Sequence, residues 1–266
     1  MANPQHFELL MQGTTAWNDW KRQHPQELPD LSGVDLHNAD LRNINFDRTD
    51  LRNANLSSAN LRYATFHSAK LHNTNLSHAQ LFNALLIRAN LSRACLDDAD
   101  MTRAVLSWAN LSGADLKHAW LVEAQLTNTN LSTANLSDAN LKRASLIVAN
   151  LSQANLSNAE LFGTDLRHAI LHQTSLRGAV LCDAILSKTD LREADFTDAL
   201  IGWTIFGDID LRVVRGLETV RHASPSIISI DSLIRSEGNI PETFLREAGV
   251  PDAYIQFIRS LTKRNP

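Results

Sequence analysis

Proline is missing from most of this chain of 266 residues: its seven copies all lie outside positions 30 to 224. Glycine is sparse as well, ten copies in all. Nothing in that long interval kinks the backbone, so whatever it forms is continuous and stiff. Cysteine is nearly absent. Cys95 and Cys182 are the only two, which excludes a disulfide scaffold, and no Cys/His spacing suits zinc. No glycine-rich phosphate loop occurs. Charge of one sign is lacking too: the formal net charge is −4, too small for a strong nucleic-acid or anionic-membrane field. No apolar run is long enough to span a bilayer, and no basic-then-apolar leader follows Met1, so the expected compartment is the cytoplasm.

What is present is a period of five. From Leu31 to Leu211 every fifth residue is Leu, Phe, Met or Ile, without a slip: Leu31, Leu36, Leu41, Phe46, Leu51, and on through Met101, Phe196, Ile201 and Phe206. Two residues before most of them stands Ala, with Thr as the usual substitute. The unit reads Ala-Asn/Asp-Leu-x-x, as in Ala54-Asn55-Leu56 and Ala114-Asp115-Leu116.

Five fits neither ordinary element. A helix turns ~100° per residue, so a five-residue step rotates by ~140° and smears the leucines around the axis. In a flat strand an odd step puts successive leucines on opposite faces. Ala and Leu, two apart, do share a face over a short extended piece. The solution is to bend the chain once per unit. Three residues run extended with Ala and Leu inward, and two turn the corner. Four corners close a square coil of twenty residues, and coils stack at ~4.8 Å. Leucine-rich repeats need unequal spacings and do not fit.

On these residues the stretch 31–211 resembles the pentapeptide-repeat family. The resemblance implies an all-β fold, a right-handed quadrilateral parallel β-solenoid. About nine coils give a rod of ~45 Å. On it Cys95 and Cys182 stand a little over four coils apart, ~20 Å, too far for a disulfide. Inward threonines (Thr74, Thr129, Thr164, Thr174, Thr189) must bond their hydroxyls to backbone, because an unpaired buried hydroxyl is costly.

The flanks lack the repeat. Residues 1–30 read as an N-terminal helical cap: a short helix over 6–11 ending at Gly13, then a second capped by Thr14 or Thr15, with Trp17 and Trp20 on one face. Residues 212–266 read as a C-terminal helical cap, where the register stops and Gly216 leaves the coil. Short helices are predicted at 232–235 and 241–245 and a longer one at 251–261, with Pro at its first turn. Open coil ends expose apolar core and unpaired backbone, which such helices cover. The segment 240–252, from Ile240-Pro241-Glu242 to Gly249-Val250-Pro251-Asp252, also resembles the region that precedes TIR-type signalling domains in some bacterial pentapeptide-repeat proteins; with Pro266 last, no such domain is expected here.

No reaction is legible. A straight packed rod offers no concave pocket for catalysis, so no enzyme, catalytic residue, cofactor or small-molecule substrate is expected. The column His78, Asp98, His118, Asp138, with Asp97 and Lys117 alongside, alternates imidazole and carboxylate. It is expected to be exposed ion pairs rather than a metal site. The column Asn90, Asn110, Asn130, Asn150, beside Ser92, Ser112, Ser132 and Ser152, reads as amide and hydroxyl ladders. Function then belongs to a surface. One face carries Leu85, Ile87, Val105, Trp108, Ile147 and Val148. The face before it carries Phe82, Trp120, Val122 and Phe162. None of the ten can reach the core, the Asn/Ser face has no comparable residues, and a contiguous apolar patch marks an interface. The expectation is an interaction scaffold that docks an unidentified protein or a second copy there, with no nucleic-acid or membrane partner. The alternative implied by the resemblance is a DNA-mimicking inhibitor of a type II topoisomerase. Residues 183–210 carry seven acids against Lys188 and Arg192. Mimicry, however, needs one charge per ~1.7 Å along the whole rod, and Arg88, Arg93, Arg103, Lys117, Lys142 and Arg143 interrupt the middle.

Overall fold

The computed structural model describes residues 2–262, the side chains of 261 and 262 excepted. From Asp30 onward each residue before a central Leu forms a parallel bridge to the residue twenty further on: Asp30 to Asp50, Asn55 to Asn75, Asn110 to Asn130. The bridges are single-residue because only three residues per unit run extended. Each wall is therefore a ladder of isolated bridges rather than of long strands. The chain forms a quadrilateral β-solenoid. We number its walls by their central residues: the first by Leu31 and Leu51, the second by Leu36 and Leu56, the third by Leu41 and Leu61, the fourth by Phe46 and Phe66.

Every central residue from Leu31 to Leu211 is buried, and from Ala54 on so is every Ala or Thr two before it. At ~1.5–3 kcal/mol per fully buried large side chain, this column dominates the stability. The corners are β-turns. The amide of Ala54 donates to Leu51 O at 3.1 Å, and Asn53 between them has φ 58°. The left-handed residue recurs at nearly every corner, at Asn38, Asn73 and Asn128 but also at Trp108, Thr133 and Val148. Asn and Gly take this conformation readily; a bulky or β-branched residue holds it at a cost of ~1–2 kcal/mol.

The residue directly after each Leu is mostly half-buried, not exposed as a simple outward reading of the corner has it; the second residue after Leu is the exposed one. The first folds back along the wall. Ser57 Oγ donates to Asn55 Oδ1 at 2.8 Å, and the Ser57 amide donates to the same oxygen at 3.2 Å. Inward threonines bond as expected. Thr74 Oγ1 donates to Leu51 O, Thr129 to Leu106 O and Thr174 to Leu151 O, at 2.7, 2.8 and 2.7 Å. Thr49, with no coil beneath it, reaches only Asp47 O at 3.5 Å.

At the N-terminus α1 spans Pro4–Met11 and α2 spans Thr14–Gln23. The N-cap of α2 is Gly13, with no side-chain cap bond, so neither Thr14 nor Thr15 caps it. Trp17 is fully buried, its ring 5.8 Å from Phe46. Its Nε1 donates to Asn45 O at 2.7 Å, Asn18 Nδ2 donates to Asn43 O at 2.9 Å, and Lys21 Nζ donates to Asp47 O at 2.7 Å. Asn18 Oδ1 accepts from the Asn45 amide at 2.8 Å. The Asn45 and Asp47 groups are those that a preceding coil would meet. Burial pushes the Lys21 pKa down, against the pull of Asp47.

The C-terminal side departs from the expectation that the chain leaves the coil after Leu211. Arg215 still bridges to Asp195. Strand β1 (Leu200–Ile201) pairs in parallel with β3 (Arg221–His222), and β2 (Ile205–Phe206) pairs with β4 (Ile227–Ile228). Residues 212–228 thus wind a further, irregular coil. Inserted residues erase the side-chain period, while the amides of Arg221 and Ile227 keep donating to Ala199 O and Thr204 O at 2.8 and 2.9 Å. Helices α3 (Ile230–Arg235), α4 (Glu242–Glu247) and α5 (Asp252–Thr262) follow. Ser229, Ser232 and Ser236 hydroxyls accept from the amides of Asp208, Ile209 and Leu211 at 3.1, 3.1 and 2.9 Å. Phe244 packs 6.0 Å from Phe206. Among the described residues no helix is long and apolar enough to cross a membrane, and both cysteines are free.

Candidate interaction walls

The first and second walls are amide ladders. Asn130 Nδ2 donates to Asn110 Oδ1 at 3.2 Å and Asn110 Nδ2 to Asn90 Oδ1 at 3.4 Å. On the second wall Asn155 bonds Asn135, and Asn135 bonds Asp115, at 3.2 and 2.9 Å. Their hydrogen-bonding capacity is largely spent within the rod. One apolar residue does interrupt the first wall: Ile170 sits in the Asn column, paired with Asn150, and is exposed. The Asn/Ser face is therefore not free of apolar side chains.

None of the ten apolar residues singled out above joins the buried core. Between coils, register pairs only Leu85 and Val105 of the ten, bridged on the fourth wall. Polar residues separate the others within their columns. Thr102 and Lys142 separate Phe82, Val122 and Phe162; Ser107 and Thr127 separate Ile87 and Ile147; Asn128 separates Trp108 and Val148. Six of the ten are half-buried. Trp108, Trp120, Val148 and Phe162 are exposed, the two tryptophans at 60% and 54%. Along each column the patch is thus interrupted by polar residues rather than continuous. Trp120 stands in the middle of the third wall, and Trp108 at the corner that follows the fourth. Sequence reading missed Tyr63 and Trp203, both exposed at corners of the third wall, although the same register placed them outward. Tyr63 packs edge-on against Phe82 at 5.8 Å.

Charge follows a local rule. An Asp before Leu meets an Arg just after it, as in Asp40–Arg42, Asp50–Arg52, Asp165–Arg167 and Asp190–Arg192, with contacts of 2.6 to 2.8 Å. The guanidinium hydrogen-bonded to Asp40 holds that carboxyl below the ordinary range, and Arg192 does the same for Asp190. The stretch 183–210, acidic when counted by itself, is largely neutralised. Arg177 reaches Asp195 at 3.2 Å, Arg235 reaches Asp208 at 2.5 Å and Arg212 reaches Asp210 at 2.8 Å, all from outside it.

The middle of the second corner breaks the rule. His118 Nδ1 lies 3.4 Å from Asp97 Oδ1 and 4.0 Å from Asp98 Oδ2, and His78 Nδ1 lies 3.8 Å from Asp98 Oδ2. Asp97, Asp98 and His118 bring one ligand atom each within 4.8 Å of one another, and Asp97 Oδ1 accepts no hydrogen bond. His78, Asp138 and Lys117 stand outside that group. Next to it Trp120 separates two shallow clefts. One, of about 550 Å³, runs between Asp98, Asp138 and Glu160; the other runs between His78, Asp98 and Asp100. A packed rod does then have concave surface, but open to solvent.

The profile of the family described as pentapeptide repeats matches repeatedly across the rod, over residues 30–67, 49–86, 64–103, 109–146, 121–158, 134–173 and 159–198. No curated protein matches the chain in sequence. Among solved structures the chain is similar to full-length QnrB1, a plasmid-mediated fluoroquinolone resistance protein, with TM-score 0.55 and 20% identity over 73% of this chain and 93% of that one. A trypsin-treated QnrB1 variant gives 0.54 and 23%, over 74% and 92%. At such identity the likeness is one of fold. HetL, a protein involved in heterocyst differentiation regulation in the cyanobacterium Nostoc sp. strain PCC 7120, aligns at 28% identity over 74% and 95%, with TM-score 0.31.

Proposed function

The chain belongs to the pentapeptide-repeat family, and on that premise we propose that it is a non-enzymatic interaction scaffold of about nine coils, closed by helices at both ends and acting in the cytoplasm. Its third and fourth walls dock a protein partner. The observation that carries this reading is the exposure of Trp108 and Val148 at left-handed corners, most of which carry polar residues or Gly, and of Trp120 on a wall between Asp100 and Asn140. Asn or Gly would hold those corners with less strain, and exposed Trp is a favoured interface anchor. Amide ladders on the other two walls leave little unsatisfied for a partner to bind.

The test is the pair Trp108→Ala with Trp120→Ala. Melting should stay within a degree or two, since neither side chain supports the core. Association with partners, or self-association measured by sedimentation, should weaken by ~1 kcal/mol or more. A double mutant that unfolds several degrees lower, or that keeps every wild-type association, sinks the reading. Topoisomerase inhibition by DNA mimicry is the second reading, supported by the shared fold with QnrB1. The arginines on Asp190, Asp195, Asp208 and Asp210 weigh against it, because they remove the carboxylate run that mimicry needs. A gyrase supercoiling assay that shows inhibition would reverse this order.

A further inference from the structure

The third wall carries information about what covers it. Its outward column runs Asp100, Trp120, Asn140, Glu160, one residue per coil, each bridged to the next. The corner beside it carries Asp98, His118 and Asp138 in the same coils. Five outward Asp of the rod (Asp40, Asp50, Asp165, Asp190 and Asp210) are met by an Arg two residues on, whereas Asp30, Asp35, Asp115 and Asp195 are followed there by Ser, His, Lys and Thr. Here Asp100 is followed by Thr102, whose amide donates to Asp100 Oδ1 at 3.0 Å. Asp138 accepts only from Asn158 Nδ2 at 3.2 Å. Asp98 has only the two imidazoles, at 3.8 and 4.0 Å. Among the described residues no Lys or Arg lies within 4.0 Å of Asp98, Asp100 or Asp138. Glu160 differs: Lys142 holds it at 3.2 Å.

Resting on the interaction-scaffold reading, we propose that the third wall docks a basic, partly apolar segment of a partner protein, with an arginine or lysine side chain laid over the face of Trp120. Three features of the wall select that chemistry. The indole face is exposed and flanked by two clefts, and a guanidinium over an indole is attracted by the ring's quadrupole. Carboxylates stand on both sides of the ring, one coil below at Asp100 and along the corner at Asp98 and Asp138, none of them paired with a Lys or Arg; Lys142 lines the cleft on the far side of the ring but is held by Glu160. Beyond the ring, Val122 and Phe162 offer apolar contact to the neighbouring side chain of the same segment. The same carboxylates disfavour a nucleic acid at this wall, through like-charge repulsion of phosphate. The footprint is a few coils long, the size of a peptide segment.

The experiment measures binding of a short synthetic peptide of alternating arginine and leucine, with both ends blocked, to the full chain by calorimetry at low salt. A second peptide has glutamate for arginine. The arginine peptide should bind saturably and the glutamate peptide should not. Trp120→Ala should weaken binding about tenfold, Asp98→Asn with Asp100→Asn and Asp138→Asn by as much or more, and Trp108→Ala by less than about twofold. Moderate salt should weaken it further, as exposed charges are screened. All variants should melt as the wild type does. Equal binding of the two peptides, or arginine-peptide binding that survives Trp120→Ala, overturns the proposal. If neither peptide binds while Trp108→Ala with Trp120→Ala still abolishes association of the wild-type kind, the basic segment is wrong and the scaffold reading stands. If the arginine peptide binds as described but the double mutant keeps every association, the site stands and the wider wall does not.

Discussion

The two ends of the rod meet the same difficulty with opposite chemistry. At the first coil the backbone presents mainly carbonyls, those of Asn43, Asn45 and Asp47, and α2 meets them with donors: an amide, an indole and an ammonium. At the last coils it presents amides, those of Asp208, Ile209 and Leu211, and α3 meets them with hydroxyl oxygens. Side-chain length differs accordingly. Helix α2 lies below the coil and reaches it with Trp, Asn and Lys. Helix α3 is delivered by an extra coil that still pairs with the one before it, so serine is long enough. A coil end is thus read as a set of donors or acceptors, and the helix over it is chosen by which of the two it supplies.

The contrast is broken most severely at Trp17. Trp17→Ala should cost ~3–5 kcal/mol in denaturant unfolding, by cavity formation beside Phe46 and loss of the bond to Asn45. Removing residues 1–28 should go further and produce aggregation. A truncation that stays monomeric with unchanged melting would show that the N-terminal helices do not close the rod. At the other end Ser232→Ala leaves the Ile209 amide without its acceptor and removes the donor to Phe206 O, a bond of 3.0 Å. The expected cost is ~1–3 kcal/mol, with faster hydrogen exchange confined to residues 206–211. Exchange that rises uniformly along the rod would contradict a local role.

The middle of the rod serves as control. Trp108→Gly should raise stability by up to ~1 kcal/mol, because φ 64° costs glycine nothing. A fall would mean that Trp108 is packed rather than displayed. The smallest effect is pH-dependent and belongs, near neutral pH, to the C-terminal end. His222 is nearly buried, neither ring nitrogen has a hydrogen bond, and burial pushes its pKa below the ordinary 6.5. The unfolded chain then binds the proton more readily than the folded one. Stability is therefore full above about pH 6.5 and is lost as pH falls from there toward the depressed folded value. Melting followed from about pH 7 to 5 should drop more for the wild type than for His222→Phe, and parallel curves would remove His222 from this account.

The repeat was legible because side-chain period and backbone geometry coincide there: an uninterrupted five leaves one way to keep Ala and Leu inward. From residue 212 to 228 they separate. The amides continue to pair while the side-chain spacing drifts, and only the spacing is visible in a sequence. The serines of α3 were invisible for a related reason, since nothing in Ser229, Ser232 and Ser236 announces which amides they serve. On the walls, register placed Trp120 and Trp108 outward correctly. Counting charge within one stretch failed, because Arg177 and Arg235 reach Asp195 and Asp208 across coils. The acid-flanked surroundings of Trp120 were already written in residues twenty apart, at 100, 120, 140 and 160. They had to be read down the column instead of along the chain.

The drift in pairing has a further consequence. Partners lie twenty residues apart up to Asp195 and Arg215, but Leu200 pairs with Arg221 and Ile205 with Ile227. The last layer is therefore longer than every layer beneath it. A crystal grows by laying down copies of one cell, and it stops at a layer whose cell edge no longer matches. A second molecule offering a twenty-residue layer finds, on this one, a perimeter stretched by inserted residues and broken at Pro225. The mismatch acts as a growth poison grown from the chain's own backbone. A stretched last layer of this kind opposes the stacking of a second rod on that end.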